Sequence, residues 1–251
     1  GQTRPCTSCM LEPLILSEFR FKGGGKDCWG VTYVPTKETG GALLPKPDEF
    51  ILDDIRHWRD VIKAPSLDGV DWEAMAKKQL EGFYAMGVNR EDTAIALNLH
   101  VGYFQNMALF EYMCDFYTEV TRRIWPYVKP DVLTLMDDTA AWAAPFISRE
   151  MYHDMVLPFH DRQAKFGRDA GIPITMHNCG KAEVFMEYLR GIGVNAWDPA
   201  QTCNDLPAIK KKYGNNLVIA GGWDAKGRLL DDDVTEEELY QAVQDTFDML
   251  A

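Results

Sequence analysis

The stretch GIPITMHNCGKAEVF, residues 171–185, joins a short apolar run to a segment of helical composition. Its apolar part, residues 172–176, has the length of a buried strand, and Gly180 marks the turn before the helix. A short apolar strand that leads into a helix is typical of a parallel α/β sheet. The stretch therefore predicts one strand-then-helix unit, with His177 and Cys179 at the end of the strand.

The same order recurs on both sides of this unit. Strands are predicted over residues 93–100, 131–138, 172–179, 194–199 and 217–224, alternating with helices over 107–125, 148–171, 181–190, 204–213 and 235–250. The last helix begins at Thr235, a favourable N-cap, and has acidic residues in its first turn. Five successive units imply a parallel sheet, either closed as a barrel or open and doubly wound.

Residues 1–90 do not follow this alternation. Segments such as KGGGKD, residues 22–27, predict loops and turns around one or two helices. A chain of 251 residues with 46% hydrophobic residues can bury one core, so we expect a single domain, irregular over 1–90 and regular over 91–251. A complete (β/α)8 TIM-type barrel would need further strands, hidden in residues 1–90 or outside this chain.

Charge and composition exclude several classes of partner. The net charge of −12 and the pI near 4.9 argue against nucleic acid, which binds clustered Lys and Arg. No apolar run reaches the roughly 18 residues of a membrane span, so we expect no membrane partner and a soluble, cytoplasmic protein. Six cysteines spread unevenly along the chain predict reduced thiols, with metal binding by some of them left open. The C-x-x-C motif of Cys6 and Cys9 could serve a metal or redox role, or its spacing could be incidental.

Polar or reactive side chains end each of the five predicted strands. In a parallel barrel these ends open onto one face, where active sites are built, so the pattern favours a barrel with a pocket. We expect Asp137, Asp138 and Asp198 to be catalytic. The residues expected to bind substrate are His100, Trp142, Asn178, Trp197, Trp223 and Asp224. The alternative is that the carboxylates cap helices.

His177 and Cys179 are the candidate metal ligands. Side chains two apart on a strand point to the same side, and zinc accepts such a mixture of nitrogen and sulfur. Two ligands do not complete a site, so a third must come from elsewhere in the chain. Nucleotide-binding and serine-hydrolase motifs of the forms G-x-G-x-x-G, G-x-x-x-x-G-K-[ST] and G-x-S-x-G are absent from the sequence.

Three segments also carry a resemblance to a known family. They are LMDDTAAWAAPFISREMYHDMVLPFHDRQAK (135–165), ITMHNCGKAEVFMEYLRGIGVNAWDPAQ (174–201) and LVIAGGWD (217–224), with a looser match at DCWGVTYVP (27–35). In order and spacing they resemble the core of the uroporphyrinogen decarboxylase superfamily. That superfamily includes the decarboxylase and corrinoid-linked methyltransferases, and the resemblance implies a (β/α)8 barrel over about residues 90–250.

The resemblance further implies a zinc site. The methyltransferase branch binds zinc through a His-x-Cys pair and a later Cys, and His177 and Cys179 fall on that pair. The later Cys would lie past Ala251, so Cys203 is the nearest candidate for the third ligand. The arginine-bearing RQAGR element, which holds porphyrinogen carboxylates in true decarboxylases, has no match here.

The function implied by the resemblance is zinc-assisted methyl transfer. The methyl group would move between a methoxylated aromatic, a thiol or a folate and a corrinoid (cobalamin) cofactor on a partner protein. Removal of methyl groups from aryl ethers, called O-demethylation, belongs to this chemistry. We expect a corrinoid protein and a small molecule as partners, and the sequence leaves a homodimer open. Two alternatives stand beside it: a metal-free decarboxylase and a non-catalytic ligand-binding barrel.

Overall fold

Parallel strands alternating with helices form the framework of the protein. The computed structural model describes residues 8–37, 41–100, 109–223 and 227–250, without the side chains of Ser8, Ile55 and His100. The chain forms two units, one of residues 1–99 with 108–131 and the other of residues 100–107 with 132–251. We describe each unit by itself.

The first unit combines a parallel strand pair with a small antiparallel sheet. Its elements are β1 (Ser8–Leu11), α1 (Leu14–Phe21), β2 (Gly25–Lys26), β3 (Thr32–Pro35), β4 (Leu43–Pro45), α2 (Trp58–Val61), α3 (Trp72–Ala85), β5 (Ala94–His100) and α4 (Phe110–Val128). β1 and β5 run parallel, with Leu11 opposite Leu97, and both of these side chains are fully buried. β2, β3 and β4 form the antiparallel sheet. The first unit therefore already contains a parallel pair of buried strands.

The second unit contains the regular alternation. Its elements are β6 (Val132–Met136), α5 (Arg149–Met151), a π-helical segment (Tyr152–Val156), α6 (Leu157–Ala170), β7 (Ile174–His177), α7 (Met186–Gly191), β8 (Ala196–Ala200), α8 (Leu206–Tyr213), β9 (Val218–Gly221) and α9 (Glu236–Leu250). β6, β7, β8 and β9 form parallel pairs in that order. Leu133, Leu135, Ile174 and Met176 are almost completely buried, as expected for strands covered on both faces.

The π-helical segment changes which side chains share a face of its helix. α5, the π-helical segment and α6 run without interruption from Arg149 to Ala170. A π-helical turn contains one residue more than an α-helical turn. The eight residue steps from Tyr152 to His160 therefore make about two turns, where a continuous α-helix would make about 2.2. Both side chains consequently face the core, and both are fully buried.

The structure confirms the predicted α/β class, which is consistent with a TIM-type fold. Each of the five predicted strands and helices has its counterpart, and Thr235 caps α9 by accepting a hydrogen bond from the Glu238 amide at 3.2 Å. Residues 1–90 contain more regular structure than predicted. β1 is one of the further strands that a complete barrel would need in this part of the chain. The prediction of a single domain stays a prediction. None of the helices in the described ranges is long and apolar enough to cross a lipid bilayer.

Candidate metal centre

The carboxyl ends of β6, β7 and β8 bring the candidate residues together. Met136 lies opposite His177, and His177 lies opposite Asp198. The parallel ladder continues past the strands, because the Asp137 amide donates to the His177 carbonyl and the Asn178 amide to the Asp198 carbonyl, each at 3.0 Å. The residues at these three strand ends are thus held by backbone hydrogen bonds.

Three side chains at this end can hold a metal ion. One ligand atom from each of Asp138, His177 and Cys179 lies within 4.8 Å of the other two. Cys179 Sγ is 3.5 Å from His177 Nε2, and the Cys179 amide donates to Asp138 Oδ1 at 3.0 Å. A tetrahedral zinc ion with bonds of about 2.0–2.3 Å spaces its ligand atoms about 3.3–3.8 Å apart. The sulfur–nitrogen distance of 3.5 Å lies in this range, and zinc accepts sulfur, nitrogen and oxygen donors. Three protein ligands are the number typical of a catalytic zinc site.

Asp198 orients the histidine of this group. His177 Nδ1 lies 3.2 Å from Asp198 Oδ2, so Nδ1–H donates to the carboxylate and Nε2 faces Cys179. The hydrogen bond to Asp198, followed by the one to Cys179, raises the pKa of His177 to about 10. Metal binding through Nε2 therefore requires loss of a proton from that nitrogen. A carboxylate on the outer nitrogen of a metal-binding histidine is a common arrangement that fixes the ring.

Gly180 lets the loop after β7 pass close to the loop after β6. Its φ is +77°, and a Cβ atom there would overlap the carbonyl oxygens of Ala140 and Ala141. The Gly180 amide donates to Gln201 Oε1 at 2.6 Å, and the Gly180 carbonyl accepts from Asn204 Nδ2 at 3.0 Å. The residue that follows Cys179 is therefore fixed through both its amide and its carbonyl group.

Asp137 faces the opposite way from Asp138. Its carboxylate is buried, and Oδ2 lies 3.3 Å from His160 Nε2. His160 Nδ1 is in turn 2.8 Å from the Tyr152 hydroxyl, and both rings are fully buried. The prediction grouped Asp137 with Asp138 as a cavity residue, but alternation along the backbone turns the Asp137 side chain into the core. Sequence reasoning missed His160 and Tyr152. The signal for His160 was a polar residue on a helical stripe that continues with Ala164 and Gly167.

Two residues predicted to bind substrate are buried among protein atoms. The Asn178 amide side chain donates to Thr139 Oγ1 at 2.8 Å, and its oxygen accepts from the Thr139 amide at 3.1 Å. The Trp197 indole, with no exposed surface, donates to the Asn178 carbonyl at 2.9 Å. These contacts give both residues a role in holding the strand ends together. Contact with substrate stays a prediction for them.

The other predicted residues are not members of the metal group or lie outside the described part of the chain. Cys203 is not a member of the group, and its sulfur accepts from Asn204 Nδ2 at 3.4 Å. The third ligand candidate is therefore Asp138, in place of Cys203. Trp142 is partly exposed, and Trp223 lines a groove beside α9 together with Phe247. The side chain of His100 and all of Asp224 lie outside the described residues, as does Cys6.

A family model of uroporphyrinogen decarboxylase (URO-D) matches residues 89–249. This match covers more than half of the chain and includes every residue of the metal group. The chain belongs to the URO-D family. No curated protein sequence matches this URO-D family chain at a significant level.

Solved structures add a likeness of fold. The chain is similar to a methyltransferase from Methanosarcina mazei, with a TM-score of 0.54 and 12% sequence identity, over 86% of this chain and 64% of that one. This URO-D family chain thus spans less than two thirds of the length of that structure. A sugar phosphate isomerase/epimerase from Parabacteroides distasonis aligns over 100% of this chain and 98% of its own, at 11% identity, but its TM-score of 0.29 is too low to bear on the fold.

Replacing Asp198 by Asn is expected to weaken zinc binding to this URO-D family chain by about 10- to 100-fold, because the neutral amide holds the histidine less firmly than the carboxylate. A competition titration with a zinc chelator measures the effect. Asp205→Asn is the matched control, because Asp205 caps α8 and is not a member of the metal group. Equal zinc affinity in Asp198→Asn and wild type would show that Asp198 does not support the ligand.

Proposed function

We propose that the chain is a zinc-dependent methyltransferase. In this proposal a methyl group moves between a small methylated compound or carrier and a corrinoid held by a partner protein. The observation that carries the proposal is the group of Asp138, His177 and Cys179, with Asp198 bonded to the outer nitrogen of the histidine. Membership of the URO-D family and the likeness in fold to a methyltransferase support it.

The residues of the site have separate roles in this proposal. Cys179 as thiolate, His177 through Nε2 and Asp138 through a carboxylate oxygen would hold the ion. When bound, zinc would lower the pKa of a coordinated thiol or polarise the leaving group of a methyl ether or amine, so that the methyl group moves at neutral pH. Asp198 keeps the proton of His177 on Nδ1, which leaves the lone pair of Nε2 for the metal.

The arrangement favours methyl transfer over porphyrinogen decarboxylation. The sequence lacks the arginine-bearing element expected for a substrate with several carboxylates. A zinc group of mixed S, N and O donors suits the activation of a thiol or an ether oxygen, whereas a metal-free decarboxylase has no need of it. We therefore place the substrate among methyl ethers, methylamines, thiols and methylated folates, and we place O-demethylation among the reactions to be tested.

The test combines the zinc-loaded chain with cob(I)alamin and, one at a time, a methyl ether, a methylamine, a methylated thiol and methyltetrahydrofolate. Methyl transfer converts cob(I)alamin into methylcobalamin, which the visible spectrum of the cobalt reports. We expect one donor to give this change and Cys179→Ser to abolish it. No change with any donor, or with methylcobalamin and the corresponding acceptors, would refute the proposal. Release of carbon dioxide from a pyrrole carboxylate would instead identify a decarboxylase.

A further inference from the structure

Behind the metal group lies a buried polar chain of three side chains, Tyr152, His160 and Asp137. The exposure of each residue is 1% or less. The Tyr152 hydroxyl lies 2.8 Å from His160 Nδ1, and His160 Nε2 lies 3.3 Å from Asp137 Oδ2. Three polar groups in the core cost free energy unless they contact one another in this way, and nothing in the proposed chemistry so far uses them.

The tyrosine end of the polar chain is protonated. Burial, and then the charge of Asp137, raises the pKa of Tyr152 well above its usual value of 10.0, so the phenol keeps its proton. Its hydroxyl lies within hydrogen-bond distance of His160 Nδ1, and His160 Nε2 lies 3.3 Å from Asp137 Oδ2. Contacts through both nitrogens of the His160 ring thus connect the tyrosine to the aspartate.

The last member of the chain is adjacent to a ligand. Asp137 is fixed from two sides, by its carboxylate at His160 and by its amide, which donates to the His177 carbonyl at 3.0 Å. Asp138 follows directly and turns its carboxylate to the Cys179 amide at 3.0 Å. Holding the backbone of Asp137 therefore determines where the Asp138 carboxylate lies relative to His177 and Cys179.

We propose that Tyr152, His160 and Asp137 are positioning residues that hold Asp138 in place to complete the metal group. The role of Asp138 as a metal ligand rests on the proposed function. Its position beside the Cys179 amide does not, because the hydrogen bond between them involves protein atoms alone. The stacked ring of Phe185, with its centroid 4.3 Å from that of Tyr152, keeps the tyrosine ring in position when only the hydroxyl is removed. Tyr152→Phe therefore isolates the hydrogen bond from the packing.

The experiment uses the full chain and two measurements. Hydrogen exchange of the Cys179 amide, recorded by NMR on metal-free protein, reports the bond to Asp138. Titration with Co²⁺ reports the metal group through the dissociation constant and the visible absorption bands. For Tyr152→Phe we expect the Cys179 amide to exchange about fivefold faster and Co²⁺ to bind about 3- to 10-fold more weakly with shifted bands. His160→Gln should have a larger effect in both measurements.

Tyr188→Phe is the matched control, because it removes a hydroxyl from a ring that stacks near Tyr152 but lies outside the polar chain. It should leave both measurements unchanged. The proposal is overturned if Tyr152→Phe leaves the Cys179 amide unchanged, or if it accelerates exchange equally at the strand amides of Leu135 and Met176, since that would be general loosening. Failure of the wild type to bind Co²⁺ would count against the proposed function, while the exchange of the metal-free protein would still decide the positioning role.

Discussion

Replacing Cys179 by Ser is expected to lower the zinc affinity by about a thousandfold, so that the purified variant contains almost no metal. In the proposed site the thiolate is one of three protein ligands, and a serine hydroxyl stays protonated at neutral pH and is a poor zinc donor. Zinc content by elemental analysis and chelator competition measure the loss. Circular dichroism should show that the fold persists, because Cys179 is partly exposed and does not belong to the buried core.

The matched control for this variant is Cys203→Ser. It makes the same chemical change at another cysteine. Cys203 was the predicted third ligand, but it is not a member of the metal group in the structure. We expect Cys203→Ser to keep its zinc. Loss of zinc from Cys203→Ser would restore that residue as a ligand, and equal zinc in Cys179→Ser and wild type would exclude Cys179.

Gly180→Ala is expected to destabilise the protein by about 3 kcal/mol or more. A non-glycine residue at a φ of +77° costs about 1 kcal/mol, and the added methyl group would lie only 2.6 Å from the Ala141 carbonyl oxygen. Backbone atoms cannot move aside as the end of a side chain can, so the loops after β6 and β7 must separate. Urea denaturation measures the free energy of unfolding.

Gly171→Ala provides the comparison for this effect. Gly171 ends α6 with a φ of +67°, and a Cβ atom there would have no neighbour within 4 Å. That variant should therefore lose only about 1 kcal/mol, the cost of the backbone conformation alone. If the two variants lost the same free energy of unfolding, the close contact between position 180 and the Ala141 carbonyl would not contribute to stability.

Much of the second unit could be predicted because each of its strands is a short apolar run between polar ends. The i, i+2 spacing also correctly placed His177 and Cys179 on one side. The third member of the metal group was harder to predict, since choosing Asp138 over Cys203 requires the register of β6 against β7, with Met136 opposite His177. The pattern of each strand shows which of its faces is buried, but the sequence of one strand alone does not give its alignment with the next.

The parts that escaped prediction have physical reasons of their own. β1 has only four residues and lies in a segment, CTSCMLEPL, that lacks a clear period. The helix predicted over 148–171 was correct in extent, but its π-helical segment follows from how Tyr152 and His160 pack, and no residue type there signals it. Because the π-helical segment could not be predicted, the contact between Tyr152 and His160 could not be predicted either.

The π-helical segment also affects how this helix should be compared between relatives. Tyr152–Val156 holds one residue more than an uninterrupted α-helix would need. Aligning a relative without the extra residue would require a one-residue gap, since without the gap every position before the π-helical segment would be matched to one displaced by about 100° around the helix axis. An ungapped alignment would then pair the tyrosine with a residue on a different side of the helix. Residues of this helix should therefore be matched between relatives by the side of the helix on which they lie, as well as by residue type.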